Sequence, residues 1–234
     1  MDKRQTLVDN VISFNRNLHF SAQLPSGFRV INPFLDNPET MVVMQQFYQK
    51  YYNDLNSRMF IVGINPGRHG AAITGIPFTD TKRLESECGI KMCTATTHEV
   101  SSVFIYDMIA QYGGVKAFYE QFYINSPFPL AIVRKSKAGN WLNANYYDDA
   151  TLFNALKDNM IEVLKQYISL GLDTSEVVVL GVKNAQFIQK LNKRAKLFKR
   201  IHVLEHPRYI QQYKFKERQF YIEKYIITFN KLLL

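Results

Sequence analysis

The sequence predicts an α/β fold: three α/β/α layers around a central, mostly parallel four-stranded sheet. Apolar runs at 59–62, 121–124, 176–180 and 201–204 are strand-length and too short for helices. Segments with helical spacing separate them, and strands alternating with helices build parallel sheets covered on both faces. A third observation says where such a sheet would work. The first run, Met59-Phe60-Ile61-Val62, breaks at Gly63 and passes through Asn65-Pro66-Gly67 into a loop holding Gly70, Thr74, Gly75 and Pro77. Open α/β sheets carry their sites where strands empty into loops at their carboxyl ends.

The elements follow in order. Leu7, Val11, Ile12, Phe14 and Leu18 share one face of a helix over 5–18. Leu24-Pro25-Ser26-Gly27 is a turn, and 28–34 is extended until Pro33 interrupts it. A second helix is predicted over 39–52, with Met41, Val42, Met44, Phe47 and Tyr51 facing in. Residues 82–89 read as a charged connector. Thr96-x-x-Glu99 has capping-box spacing and opens a helix over 99–111, which Gly113-Gly114 stops. A helical turn at 115–121, the strand at 121–124 and an extended stretch at 130–133 come next. Residues 134–149 read as a long surface loop. Its Lys135, Lys137, Trp141, Tyr146 and Tyr147 suit either a single nucleic-acid strand or plain solvation. Helices are predicted at 150–168, from Gly181 to about Lys196, and at 214–233. There is no repeat, low-complexity segment or linker, so residues 1–234 read as one domain.

The 47% hydrophobic content supports a continuous core, and 21% charge does not suggest disorder. The net charge of +9 favours a polyanionic partner, though it also suits any soluble basic protein. Two cysteines cannot make a disulfide framework, and the expected compartment is reducing and cytoplasmic. Cys88, Cys93 and His98 have C-x4-C-x4-H spacing but lack the fourth ligand of a closed zinc site, so neither metal nor cofactor is expected. Without an apolar leader or an 18-residue apolar stretch, export and membrane insertion are not expected.

Three segments carry a family resemblance. Gly63-Ile64-Asn65-Pro66-Gly67, with Thr74-Gly75-Ile76-Pro77-Phe78 beyond, resembles the first motif of the uracil-DNA glycosylase superfamily, in the spacing of its single-strand-selective monofunctional branch. Tyr123-Ile124-Asn125-Ser126-Pro127-Phe128-Pro129-Leu130 is similar to that family's uracil-reading segment. Glu205-His206-Pro207-Arg208 resembles its second motif, whose His-Pro opens a loop that enters DNA. Some branches hold a four-cysteine iron–sulfur cluster, which this chain cannot ligate.

The resemblance implies catalytic roles for Asn65 and His206. A neutral amide at 65 cannot take a proton from water at pH 7, so Asn65 would orient the water. His206 would donate to O2 of the departing uracil anion. Asn125 would read the base edge, offering an acceptor to N3–H and a donor to O4. Phe78 would stack on the extruded base, with the Gly63, Ile64 and Gly67 backbone beside it. His69 stands where the family often has a more apolar residue and competes with His206 for its role. Arg68, Lys183, Asn184, Pro207, Arg208 and Tyr209 are the expected DNA contacts, Lys183 and Asn184 because they open a helix whose amides favour phosphate.

The resulting expectation is a monomeric, monofunctional glycosylase removing uracil or a related deaminated base from single- or double-stranded DNA. The motifs contain no lysine nucleophile, so water attack would leave an abasic site. Two alternatives stand beside it. One is a DNA-binding or damage-sensing module with little turnover; the other, a nucleotide-binding enzyme, lacks both GxGxxG and GxxxxGK[ST].

Overall fold

The computed structural model describes residues 6–233. Its strands, in chain order, are β1 (Phe28–Ile31), β2 (Met59–Val62), β3 (Phe122–Asn125), β4 (Ala131–Lys135), β5 (Trp141–Ala144), β6 (Asp173–Leu180) and β7 (Arg200–Leu204). β2, β3, β6 and β7 form a four-stranded sheet in the order β3-β2-β6-β7, with every pairing parallel. Every residue of β2 and β3 is buried, as is Val177–Leu180 of β6. Burial on both faces explains why these strands read as unbroken apolar runs rather than alternating ones.

The strand order positions the site. β3 lies on one side of β2 and the later β6 on the other, so the order reverses at β2. Loops leaving strands on either side of such a reversal diverge and leave a crevice at the carboxyl ends.

Most predicted helices occur within two residues of their expected limits, including Pro38–Tyr51, Val100–Tyr112, Ala150–Ser169 and Val182–Ala195. In the second of the predicted helices Met44, Phe47 and Tyr51 are buried, but Val42 is 50% exposed. The buried set Thr40, Val43, Met44, Phe47, Tyr48 and Tyr51 leaves position 42 on the opposite face.

Three local expectations fail for identifiable reasons. The stretch read as a charged connector contains a helix, Thr81–Ser86, whose N-cap Asp80 accepts from the Arg83 amide. A six-residue helix carries too little periodicity to register in the sequence. The Thr96/Glu99 capping box does not form; Glu99 is itself the N-cap, and no side chain caps that helix from within. A true capping box joins Thr6 and Asp9 at the first helix, Leu7–Asn17.

The third correction matters most. Residues 134–149 are not one long surface loop, because they contain the end of β4 and the whole of β5. β5 pairs antiparallel with β4, and with β1 they form a second, three-stranded sheet. Only Ala144 of β5 is buried, so the edge strand shows no alternation to read. Lys135 and Lys137 are exposed, whereas the Trp141 ring lies under the Arg29 guanidinium, 4.6 Å from its centroid. Tyr146 is fully buried.

Candidate active site

The carboxyl ends of β2, β3, β6 and β7 open onto one cavity of about 660 Å³. β2 delivers Gly63, Ile64 and Asn65, β3 ends on Asn125, β6 leads through Gly181 to Lys183, and β7 leads to His206. The parallel register sets Asn125 directly beside Val62, and the Gly63 amide donates to the Asn125 carbonyl at 2.7 Å. Sixty residues of sequence separate Asn65 from Asn125, and one strand pairing brings them together.

Asn65 is 7% exposed and clamped at both ends. Its Nδ2 donates to the Ala144 carbonyl at 2.9 Å, and its Oδ1 accepts from the Tyr146 amide at 3.0 Å. Each end keeps one unused capacity, a second N–H and a second lone pair. The carboxamide is thus fixed in direction before any substrate arrives.

His206 caps the short helix Pro207–Tyr213, with Nδ1 accepting from the Arg208 amide at 3.1 Å. That bond assigns the proton of the neutral ring to Nε2. Burial, with help from the Arg208 charge, pushes the pKa of His206 down to about 4, so the ring is neutral at pH 7. Its face packs against Phe78 with ring centroids 5.8 Å apart. Phe78 has φ +53°, a left-handed conformation that a non-glycine residue adopts at a cost. Gly63 makes room for its ring, because a Cβ there would stand 3.1 Å from Phe78 Cε2.

Asn125 is 5% exposed; its Nδ2 donates to the Tyr123 hydroxyl at 2.9 Å and its Oδ1 accepts from the Ser126 amide at 2.8 Å. One N–H and one lone pair remain for a ligand edge.

The other expected residues divide. Gly67, Lys183, Arg208 and Tyr209 line the cavity or its mouth with those above. Tyr209, 44% exposed, stacks on Tyr213 at 5.7 Å. Lys183 lies over the Tyr147 ring at 4.7 Å. Three expected residues lie off the cavity lining: Arg68, His69 and Pro207. Arg68 is held to β5 through the Trp141 carbonyl at 2.7 Å, and Pro207 is buried in the first turn of its helix. His69 is exposed, and its Nε2 accepts from Arg68 Nε at 3.2 Å, so it does not stand beside His206 as a rival.

Asn184, expected among the DNA contacts, belongs to the cavity lining but has no exposed surface. It donates to the Gly63 and Leu180 carbonyls at 3.1 Å each, and accepts from the Tyr146 hydroxyl. It fastens the start of its helix to the end of β2. The space at Gly63 is filled by Phe78 and that at Gly70 by Glu99.

Sequence reasoning missed Glu99, Asn143 and Tyr146. Glu99 and Asn143 line the cavity, and Tyr146 holds both Asn65 and Asn184 in place. The lone signal was the dense polar-aromatic composition of 140–147.

Residues 49–230 match the family described as the Uracil DNA glycosylase superfamily. The chain belongs to that superfamily. The structure of wild-type Pedobacter heparinus SMUG2 superposes with a TM-score of 0.95 at 48% identity, covering 98% of this chain and 99% of that one. No curated protein matches this chain. Among the described residues, no helix is long and apolar enough to cross a membrane, and no group of three or more His, Cys, Asp or Glu side chains could hold a metal ion.

Proposed function

We propose that this superfamily member is a monofunctional DNA glycosylase. It hydrolyses the N-glycosidic bond of uracil, or a related deaminated base, and leaves an abasic site. It acts as a single-domain monomer in a reducing, cytoplasmic compartment. One arrangement supports the reading above all: a carboxamide clamped by two backbone groups, and a neutral imidazole with its proton on Nε2, line the same cavity.

The steps follow from those groups. The target nucleotide leaves the stack and enters the cavity, where its base packs on Phe78. Asn125 spends its free lone pair on N3–H and its free N–H on O4, a match that cytosine with its N4 amino group lacks. The C1′–N1 bond breaks with its electron pair going to the base. His206 Nε2–H donates to O2, where the charge develops; being neutral, the ring stabilises the anion by a fixed dipole without losing its proton. Asn65 aims a water at C1′ from its unused polar capacity. Arg208 and Tyr209 at the mouth occupy the gap left in the stack.

The test is a uracil-containing oligonucleotide, single- and double-stranded, incubated with the protein and then cleaved with alkali at abasic sites. Strand cleavage only after alkali is the expected result. Tight, salt-sensitive binding with no abasic product in either form would favour the damage-sensing module instead. A panel carrying uracil, xanthine, hypoxanthine and mismatched thymine identifies the base.

A further inference from the structure

The proposed chemistry leaves an unpaired carboxylate of the cavity unused. Glu99 lines it with Asn65 and His206, and its carboxylate oxygens have no hydrogen bond or ion pair among the described residues. The other lining carboxylate, Glu205, accepts from Lys224 at 2.8 and 3.0 Å and is already neutralised. Glu99 lies against the loop that carries Asn65. A Cβ on Gly67 would stand 3.7 Å from Oε1, and one on Gly70 would stand 2.0 Å from Oε2. Position 70 therefore has no room for a side chain while that carboxylate stays in place.

The backbone of Glu99 is fixed as firmly. Its amide donates to Asp80 Oδ2 at 2.6 Å, and Ser102 Oγ donates to the same oxygen at 2.6 Å. Asp80 is completely buried at the start of its helix, with Arg83 at 3.4 Å and His98 at 3.7 Å on its outer side. Charged groups thus face Glu99 from two elements, Asp80 from one and Arg208 from the helix after β7. From β5 comes the neutral amide of Asn143, whose Nδ2, like Glu99 Oε1, would stand 3.7 Å from a Cβ on Gly67. Burial first, then the Asp80 charge, raise the Glu99 pKa to about 7 against the opposing pull of Arg208.

We propose that Glu99 is the proton acceptor of the hydrolysis, taking a proton from the water that Asn65 orients. The proposal rests on the glycosylase reading above. As C1′–N1 breaks, the electron pair leaves on the base and positive charge spreads over C1′ and the ring oxygen. The water oxygen forms the C1′–O bond, and one of its protons passes to a Glu99 carboxylate oxygen. That proton then returns to solvent, leaving the abasic hydroxyl and the free base. An amide at 65 cannot perform this transfer, and an ionised carboxylate also stabilises the developing positive charge.

The experiment measures single-turnover base release from a uracil-containing single strand across pH, with DNA affinity measured in parallel. Glu99→Gln is expected to release base about 10²–10⁴-fold more slowly at pH 8, with affinity unchanged. The wild-type rate should climb through about pH 7 as Glu99 ionises, and the residual rate of Glu99→Gln should lack that rise. Formate should restore part of the activity of Glu99→Ala, which a merely structural role would not allow. Should Glu99→Gln fail to fold, Gly70→Ala displaces the same carboxylate and should show the same loss. The proposal is overturned if either variant matches the wild type within about threefold at pH 8, or if the rise near pH 7 persists without Glu99. Loss of activity with neither formate rescue nor a changed pH profile also overturns it. A wild-type protein that releases no base removes the glycosylase reading and this proposal together. An active wild type beside an equally active Glu99→Gln removes this one alone.

Discussion

Asn65 and Tyr146 lie 81 residues apart and meet through one hydrogen bond, the Tyr146 amide donating to Asn65 Oδ1 at 3.0 Å. The opposite end of the same carboxamide donates to the Ala144 carbonyl at 2.9 Å. The backbone of 144–146 therefore distinguishes oxygen from nitrogen at position 65. It admits an amide in one orientation and has no donor for a second carboxylate oxygen.

The consequence is a pH-dependent instability in Asn65→Asp. One of its oxygens would face the Ala144 carbonyl, and protonation relieves that contact. The carboxyl pKa should rise on folding, so its stability contribution is present at low pH and is lost as pH rises through the folded value. Urea denaturation should find Asn65→Asp about 1–3 kcal/mol less stable than the wild type at pH 8, with a smaller gap at pH 5. Equal gaps at both values would show that the clamp does not discriminate.

His206 makes the opposite prediction. The folded ring takes its proton near pH 4 and the unfolded one near 6.5. Between these values the unfolded state binds more protons, so stability falls as pH drops through the window and is complete above it. His206→Gln should flatten that part of the wild-type profile. On activity, His206→Ala should cost about 3–4 kcal/mol, or 10²–10³ in the rate of base release, as for other preorganised oxyanion donors. A loss confined to substrate affinity would place His206 in binding alone.

Tyr146 and Asn184 test whether the cavity is held from behind. The Tyr146 hydroxyl donates to Asn184 Oδ1, whose Nδ2 holds the Gly63 and Leu180 carbonyls. Tyr146→Phe removes the donor and leaves a buried acceptor unpaired, at a cost of about 1–3 kcal/mol by thermal or urea unfolding. DNA affinity should stay near wild type, since neither polar group is free to meet a phosphate. A stable variant with weakened DNA binding would restore Asn184 to the DNA surface.

The sheet and most helices were legible because their signals are local. Fully buried parallel strands are continuous apolar runs, and long helices repeat their apolar face. Asn65, Asn125 and His206 were legible as members of motifs, each placed at a strand end. The supporting shell was not. The Asn65 clamp is made of backbone groups at 144 and 146, which have no residue signature at all. Glu99 looked like a capping partner because Thr96 stands three residues before it, whereas it is the N-cap itself and its amide donates to Asp80, nineteen residues upstream. Asn184 resembled a phosphate contact by its place at a helix start, and only its burial assigns it elsewhere.

Phe78 combines a ring in the cavity with a backbone at φ +53°, and two substitutions separate these features. Phe78→Ala and Phe78→Gly both delete the ring, so both lose its packing and the proposed stacking of an extruded base, worth about 1–3 kcal/mol per base. They differ only in backbone. Alanine keeps the left-handed strain that glycine escapes, which differs by about 1–2 kcal/mol, while glycine gains about 0.4–1 kcal/mol of unfolded-state freedom. At a compatible φ the second term would favour alanine; at +53° the first outweighs it. Phe78→Gly should therefore be the more stable of the two in urea, although both release base more slowly than the wild type. If Phe78→Ala proves the more stable, position 78 relaxes to negative φ once the ring is gone. The ring, wedged beside Gly63 and His206, would then be what holds the loop in its strained form.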